Sequence, residues 1–220
     1  MLLLAFDTAT TAVTVAVRDD ERVLAEVTRT GARRHGELLA PSITEALANA
    51  GAAREDVTAI AIGTGPGPYT GLRVGVVTAR VLGAVLGVPV AGVCTLDAIA
   101  HSAAGAAAGR EFLVVTDARR REVYWARYSA GDGRLARLAG PSVGPPAGLD
   151  PAVPVAGEGP WLYPDVFSSP IGPRYPSASA LADFAHERIV AGDPLLPAQP
   201  LYLRRPDARV PGPPKRVLPS

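Results

Sequence analysis

The stretch from residue 59 to residue 92 constrains the fold of this 220-residue chain more than any other part. An apolar run over residues 58–62 ends in a glycine- and proline-rich loop at residues 63–71, and a long apolar segment then leads to Gly87 and the short run 88–90. A strand, a glycine-rich loop, a helix and a second strand form a βαβ unit, whose loop can present backbone N–H groups to an anion. The stretch therefore predicts two parallel strands joined by a helix, with a candidate phosphate loop between them.

Small residues recur at every fourth position of the predicted helix, at Gly71, Gly75, Ala79, Gly83 and Gly87. Residues four apart lie on one side of a helix, and an interior glycine costs roughly 1 kcal/mol relative to alanine. We therefore expect another helix or backbone to lie close against this strip. The sequence leaves open whether that neighbour belongs to the same chain or to a partner.

Composition excludes several classes of protein. A single cysteine, Cys94, rules out an internal disulfide framework and is typical of a reducing cytoplasm. No apolar run is long enough to predict a membrane span, and a formal charge of +1 gives no overall nucleic-acid footprint. The only lysine, Lys215, lies near the end of the chain, so a Walker-type phosphate lysine is excluded.

Hydrophobic patterns predict two unequal lobes. Strands over residues 2–6, 13–17 and 22–27, a helix within residues 35–50, the βαβ unit and a helix from Thr95 give a βββαβαβα order over residues 1–104. A smaller lobe follows over residues 105–205, with a hairpin around residues 117–121, a loop over residues 140–154 and a capped helix over residues 177–191. Residues 206–220 form a proline-rich tail that we expect to be poorly ordered.

Few residues suggest chemistry by themselves. Asp7 ends the first strand in a threonine-rich turn, where it could position a metal–phosphate complex or simply close an Asx turn. The three histidines, His35, His101 and His186, are too dispersed to predict a metal site, and Cys94 is expected to be a buried, inert thiol. The residues alone indicate an α/β protein with a degenerate phosphate site, and they name no reaction.

Five segments resemble the TsaB (YeaZ) family, which takes part in threonylcarbamoyladenosine modification of tRNA. They are residues 6–10, His35 with residues 37–41, residues 65–75, residues 117–124 and residues 200–204. This chain has Pro68-Tyr69 where the family usually has Ser-Phe, and Arg121 where the family usually has glycine. The segments occur in family order across residues 2–205.

The resemblance implies an α/β actin-like ATPase (ASKHA, ribonuclease H-like) fold, with two lobes of mixed sheets flanked by helices. It also implies a complex with a TsaD-like catalytic subunit and a TsaE-like ATPase, in the cytoplasm and without a membrane. That complex transfers threonylcarbamoyl to the adenosine next to the anticodon, so tRNA would be met through the complex. Alone, such a protein is expected to form a homodimer.

By the same resemblance, this chain is expected to be a non-catalytic scaffold. Thr95 and Ile99 stand where the catalytic relative has a metal-binding histidine pair, and Arg119, Arg120 and Arg121 fill a turn that is glycine-rich in ATPases of this fold. Alternatives are an independent ATPase or small-molecule kinase of the same fold, and a tRNA-binding adaptor acting through the arginines. A peptidase has little support from the residues.

Two groups of site residues follow from the resemblance. ATP or ADP, if bound, is expected at the junction with the partner, near Asp7, Thr8, Gly65 and Gly67. The expected partner interface lies on the first two helices of the N-terminal lobe and comprises Leu39, Ile43, Arg73, Gly75, Val76, Val77 and Arg80. A glutamate at Val77 or a bulky residue at Gly75 is predicted to break assembly while leaving the lobe folded.

Overall fold

The computed structural model describes residues 1–31, 34–131 and 135–204. The first half of the chain folds in the predicted order. Its elements are β1 (Leu3–Asp7), β2 (Ala12–Arg18), β3 (Val23–Thr30), α1 (His35–Asn49), β4 (Ala59–Gly63), α2 (Tyr69–Leu86), β5 (Val90–Val93) and α3 (Thr95–Ala107). The predicted tail, residues 206–220, lies outside the described residues.

The second half contains one long strand whose last five residues, 140–144, were predicted as part of a loop. Its elements are β6 (Glu111–Asp117), β7 (Val123–Ser129), β8 (Ala136–Gly144), β9 (Val155–Gly157), α4 (Gly159–Leu162), α5 (Ala178–Ala191) and β10 (Leu196–Pro197). The strand β8 pairs only with β7 and is largely exposed, so it carries no apolar alternation. It includes Gly140 and Pro141. Edge strands tolerate both residue types, but in a sequence the pair predicts a loop.

The first sheet has the strand order β10-β5-β4-β1-β2-β3. β1, β2 and β3 are antiparallel neighbours, whereas β1, β4 and β5 run parallel, as the βαβ unit predicts. Every residue of β1, β2 and β4 is buried, because helices cover both faces of this sheet. The helices α1 and α2 cover one face, and α3 and α5 lie on the other.

The helix α5 does not stay with the second lobe, to which the predicted boundaries assign it. Its buried face, which includes Leu181, Ala182 and Ala185, packs on Leu3, Ala5 and other small residues of the first sheet. The strand β10 also joins that sheet beside β5. Small side chains on α5 and on the sheet allow the two to approach closely. Through α5 and β10, the chain returns to the first lobe after the second sheet.

The second sheet repeats the plan of the first. Its order β8-β7-β6-β9 matches β3-β2-β1-β4, with two antiparallel pairs and one parallel pair. Both first strands end in an aspartate that accepts a hydrogen bond from the amide two residues on: Ala9 N to Asp7 Oδ1 at 2.6 Å, and Arg119 N to Asp117 Oδ1 at 2.7 Å. The mixed two-lobed α/β fold of the actin-like class is thereby confirmed.

The glycine strip of α2 faces the protein's own sheet. A β-carbon at Gly75 would lie 2.3 Å from Thr8 Oγ1, and one at Gly83 would lie 2.2 Å from a methyl group of Val90. The neighbour predicted for the strip is thus the first lobe itself. The expectation that a bulky residue at Gly75 leaves the lobe folded is wrong, because that side chain would push α2 away from β1 and β4.

The helix α2 alone among the described helices is long and apolar enough, at a mean hydropathy of 1.3, to cross a membrane by length and composition. Core helices of globular proteins pass the same test, so the criterion is weak evidence. Here the small-residue strip packs α2 against β4 and β5.

Cys94 lies in the core between the two sheets, at the start of α3. Its side chain is 1% exposed and packs in a cluster with Ile99, Phe112 and Tyr128. Burial, followed by the negative charge of Asp97, raises the pKa of this thiol to about 12. The expected buried thiol is confirmed.

Candidate functional site

Asp7 belongs to a closed hydrogen-bond network inside the first lobe. Its Oδ2 accepts a hydrogen bond from Thr95 Oγ1 at 2.6 Å, and no part of the residue is exposed. A β-carbon at Gly63 would lie only 1.7 Å from the same Oδ2, so glycine is required where β4 passes the carboxylate. Burial raises the pKa of Asp7, although the Thr95 hydroxyl, the Ala9 amide and the charge of His35 act in the opposite direction.

The candidate phosphate loop is also closed by the protein. The amide of Gly65 donates to Thr95 Oγ1 at 3.0 Å, and the amide of Thr64 donates to the Val93 carbonyl at 2.8 Å. Gly67 is pressed against the β1–β2 turn, because a β-carbon there would lie 2.3 Å from the Ala9 carbonyl oxygen.

The structure places the residues expected to bind a nucleotide in the interior of the protein. Asp7, Thr8, Gly65 and Gly67 are brought together, but all four are buried, and Thr8 Oγ1 donates to the Gly71 carbonyl at 2.8 Å. Their polar groups join the ends of β1 and β4 to the starts of α2 and α3. The arrangement locks four elements together rather than presenting donors to a ligand.

The catalytic relative has metal-binding histidines at two positions that this chain fills with Thr95 and Ile99. Here Thr95 belongs to the hydrogen-bond network and Ile99 belongs to the core. Thr95 accepts from Gly65 and donates to Asp7, while Ile99 is fully buried. In residues 1–31, 34–131 and 135–204, no group of three or more His, Cys, Asp or Glu side chains is arranged to hold a metal ion.

The open site is a cleft of about 780 Å³ between the two sheets. Its walls come from the β1–β2 turn, the starts of α1 and α2, the β6–β7 turn and the end of β9. The lining residues are Thr10, Thr11, His35, Pro68, Thr70, Gly71, Asp117, Arg119 and Glu158. None of the four expected nucleotide residues is among them.

Two carboxylates dominate the charge of this cleft. Glu158 is 4% exposed and its Oε2 accepts a hydrogen bond from the amide of Asp117 at 3.3 Å. Burial, together with the charge of Asp117, raises the pKa of Glu158, whereas Arg174 and Arg119 lower it. Sequence reasoning missed Glu158; its position directly after a short apolar run ending in glycine was the available signal.

The residues Arg119–Arg121, here called the arginine turn, have an unusual backbone. Their φ angles are 64°, 55° and 62°, in the left-handed region that favours glycine. A residue other than glycine is destabilised by roughly 1–2 kcal/mol in this conformation. The φ angles thus show a turn of the kind that favours glycine, although it carries arginines; Arg119 also pairs with Asp117 at 2.9 Å.

The predicted partner interface divides into buried and exposed residues. Leu39, Ile43, Gly75 and Val76 lie in the core beneath α1 and α2, so they are removed from the candidate surface. Arg73, Val77 and Arg80 are exposed. Val81 and Val85 extend the exposed row, with Val77, Val81 and Val85 at 57%, 55% and 76% exposure. The outer face of α2 defined by these five residues is called the valine face below.

Residues 200–204, called the strap, cross from the first sheet to the second. The Tyr202 ring stacks on Tyr69 with centroids 4.3 Å apart, and its hydroxyl accepts from Arg73 Nε at 3.1 Å. Arg204 donates to the Ala118 carbonyl at 2.7 Å and to Glu122. The strap therefore ties the start of α2 to the hairpin that carries the arginine turn.

Comparison with known sequences gives a consistent set of relatives. A family model described as TsaD, tRNA N6-adenosine threonylcarbamoyltransferase, matches residues 22–159. An uncharacterized protein of Mycobacterium tuberculosis is 44% identical over 210 residues, covering 94% of this chain and 93% of that protein. The tRNA threonylcarbamoyladenosine biosynthesis protein TsaB of Escherichia coli is 38% identical over 135 residues, covering 61% of this chain and 58% of its own length.

Solved structures agree over nearly the whole chain. YeaZ from Pseudomonas aeruginosa superposes with a TM-score of 0.76 at 30% identity, covering 92% of this chain and 99% of that one. A second structure, described as an uncharacterized protein with similarity to peptidase YEAZ from Pseudomonas aeruginosa, gives a TM-score of 0.80 at 31% identity with the same coverage.

Proposed function

The chain belongs to the TsaB (YeaZ) family, and from that membership we propose that it is the non-catalytic subunit of a tRNA threonylcarbamoyltransferase complex. In this role it binds a TsaD-like catalytic subunit and supports threonylcarbamoyl transfer to the adenosine next to the anticodon. The complex also includes a TsaE-like ATPase, meets tRNA as its substrate and works in the cytoplasm. Without its partner, the chain forms a homodimer.

The valine face is the observation that carries this proposal. Three valines with more than half of their surface exposed follow one another along a single helix, flanked by Arg73 and Arg80. Contiguous apolar surface of this kind marks protein–protein contact sites. The exposed residues of the neighbouring α1 include three small ones, Gly36, Ala40 and Ala48.

The closed network around Asp7 supports a non-catalytic role. The carboxylate and the loop amides of Thr64 and Gly65 are already hydrogen-bonded within the protein. The open cleft carries two carboxylates, Asp117 and Glu158, and one arginine, Arg119, which is already paired with Asp117. Cys94, the only cysteine, is buried, which gives a cysteine-peptidase mechanism no accessible nucleophile.

The test is reconstitution of tRNA modification from this chain and its TsaD-like partner, with Val77→Glu as the variant. A charge on the valine face should abolish co-elution and modification, because a buried unpaired carboxylate costs several kcal/mol at an interface. Val190→Glu is the matched control, since Val190 on α5 is 70% exposed. Normal co-elution of the Val77→Glu protein, or modification by this chain alone, would contradict the proposal.

An independent ATPase or kinase is the alternative, and calorimetry separates the two. We place any ATP or ADP at the junction of the cleft with the partner, so the isolated chain should show no micromolar ATP binding in the presence of Mg²⁺. Micromolar ATP binding by the isolated chain in the presence of Mg²⁺ would favour the independent enzyme.

A further inference from the structure

The arginine turn lies beside a second group of exposed side chains on the same lobe. The Arg174 guanidinium lies 5.7 Å from the ring centre of Trp161 and 5.1 Å from that of Tyr175. Trp161, at the short helix α4, is 48% exposed. These three residues, with Tyr163, are called the aromatic shelf.

Hydrogen bonds through Glu158 link the arginine turn to the aromatic shelf. The Glu158 carboxylate accepts from the Asp117 amide at 3.3 Å, and the Glu158 carbonyl accepts from the Trp161 amide at 3.1 Å. The acids of this region are already engaged: Asp117 pairs with Arg119, and Glu158 accepts a backbone hydrogen bond. The exposed groups include the guanidinium ions of Arg119, Arg121 and Arg174 and the Trp161 ring, together with one carboxylate, Asp165.

This combination has a specific chemical complement. Guanidinium groups bind phosphates, and an exposed indole offers a face on which a base stacks. The left-handed backbone of residues 119–121 is a second observation, since strained conformations concentrate at functional sites. A glycine turn would hold the hairpin with less strain but would present no cations.

We propose that the arginine turn and the aromatic shelf form a binding surface for single-stranded RNA. Trp161 stacks on a base, while Arg119, Arg121 and Arg174 contact phosphates on either side. This inference rests on the proposed function for its biological ligand, the unpaired region of an unmodified tRNA. An acidic protein surface or an anionic membrane would match the arginines alone and would leave the exposed indole without a role.

Intrinsic fluorescence of the full chain tests the proposal. The chain has two tryptophans, so Trp125→Phe leaves Trp161 as the single reporter. A short oligouridylate and an unmodified tRNA transcript should both quench Trp161, with a midpoint that weakens as salt rises. A fully paired RNA duplex of equal charge should quench it much less, because its bases are not free to stack.

Variants then separate phosphate contacts from stacking. Trp161→Ala should weaken oligouridylate binding at least about fivefold, the loss expected for one stacked base. Arg121→Gly should lower the slope of log affinity against log salt by about 0.7, the value for one lost phosphate contact on a single strand. The thermal midpoint of Arg121→Gly should equal or exceed that of the parent, because glycine adopts the observed φ without strain.

Arg54→Gln is the matched charge control. Arg54 is exposed and precedes β4, at the end of the first sheet opposite the cleft, so its loss should leave both affinity and salt slope unchanged. The RNA-binding variants should still co-elute with the TsaD-like partner. Their failure to do so would implicate the proposed complex rather than the RNA surface.

Several results would overturn the inference. They are equal affinity of the parent, Trp161→Ala and Arg121→Gly proteins for oligouridylate, equal binding of duplex and single strand, and no RNA binding at low salt. Binding of acidic peptide or anionic vesicles, without quenching of Trp161 and without binding of RNA, would assign the arginines to another partner.

Discussion

Asp7 shows how one residue type can serve two opposite purposes at the same place in a fold. At the end of β1 an exposed carboxylate could meet a ligand, whereas here every hydrogen bond of the side chain goes to the protein itself. The difference arises from Thr95, whose hydroxyl bridges Asp7 and Gly65. A threonine at this position makes the carboxylate part of the framework.

Replacement of Asp7 by asparagine should flatten the dependence of stability on pH. The folded-state pKa is raised above the ordinary value of 3.8, so the folded protein binds more protons than the unfolded one between these two pKa values. The contribution of Asp7 to stability is therefore greatest below pH 3.8 and is lost as pH rises through the folded pKa. In urea unfolding from pH 4 to 7, the free energy of unfolding of Asp7→Asn should rise relative to that of the parent as pH increases.

Asp7→Ala is the contrasting variant. It leaves the Thr95 hydroxyl and the Ala9 amide without partners, and each orphaned buried group costs about 1–3 kcal/mol. A parent-like free energy of unfolding for Asp7→Ala, or a parent-like pH slope for Asp7→Asn, would show that the network does not form as described.

Among the elements, α2 packs against the first lobe on one side and presents an exposed apolar surface on the other. Its glycines bring the backbone against β4, β5 and the β1–β2 turn, and its valines remain outside. The four-residue spacing predicted the close contact but could not decide its partner, because the strip is equally compatible with an intramolecular and an intermolecular neighbour. Only the position of Thr8 and Val90 opposite Gly75 and Gly83 resolves this.

The strap is the element whose contribution to stability is easiest to measure. Tyr202→Ala removes the stack on Tyr69 and the hydrogen bond from Arg73, and should lower the free energy of unfolding by about 1 kcal/mol. Tyr202→Phe keeps the stack and should lose less than half as much. An unfolding midpoint in urea that is identical for the parent and Tyr202→Ala would mean that the strap does not hold the two sheets.

Local sequence predicted the elements that are buried on one or both faces and missed those defined by distant contacts. β1, β2 and β4 are continuous apolar runs, and Ser177 caps α5 through a hydrogen bond to Ala180 N, so all were predictable. β8 is exposed and exists because β7 offers a free edge. The return of α5 to the first sheet depends on small residues over 160 positions apart in sequence, such as Ala5 and Ala182, which no local pattern links.

The same limit applied to the candidate site. Asp7, Thr8, Gly65 and Gly67 were correctly grouped, because the ends of parallel strands meet at one edge of a sheet. Their burial depends on the hydrogen bond from Thr95 and on the close contact of Gly67 with Ala9. Both are tertiary contacts that a local sequence pattern does not reveal. The open cleft required Glu158, which belongs to the other sheet.

At the scale of the whole molecule, two similar sheets have diverged at equivalent turns. The turn after β1 is largely buried, whereas the turn after β6 is exposed and basic. The strap runs from the start of α2 to the β6–β7 hairpin, so it fixes the valine face relative to the arginine turn. A partner bound on the first surface would therefore hold RNA on the second at a set distance.

The burial of Cys94 has a kinetic consequence. A thiol reagent reacts only with a thiolate that reaches solvent, so labelling of this single cysteine must wait for the core between the sheets to open. With an opening free energy in the usual range of about 5–15 kcal/mol, labelling should be at least about a thousandfold slower than in the unfolded chain. Tyr202→Ala should accelerate it, whereas labelling of the native parent at the unfolded rate would exclude a closed core. The rate at which this single thiol is labelled thus measures how often the two lobes separate.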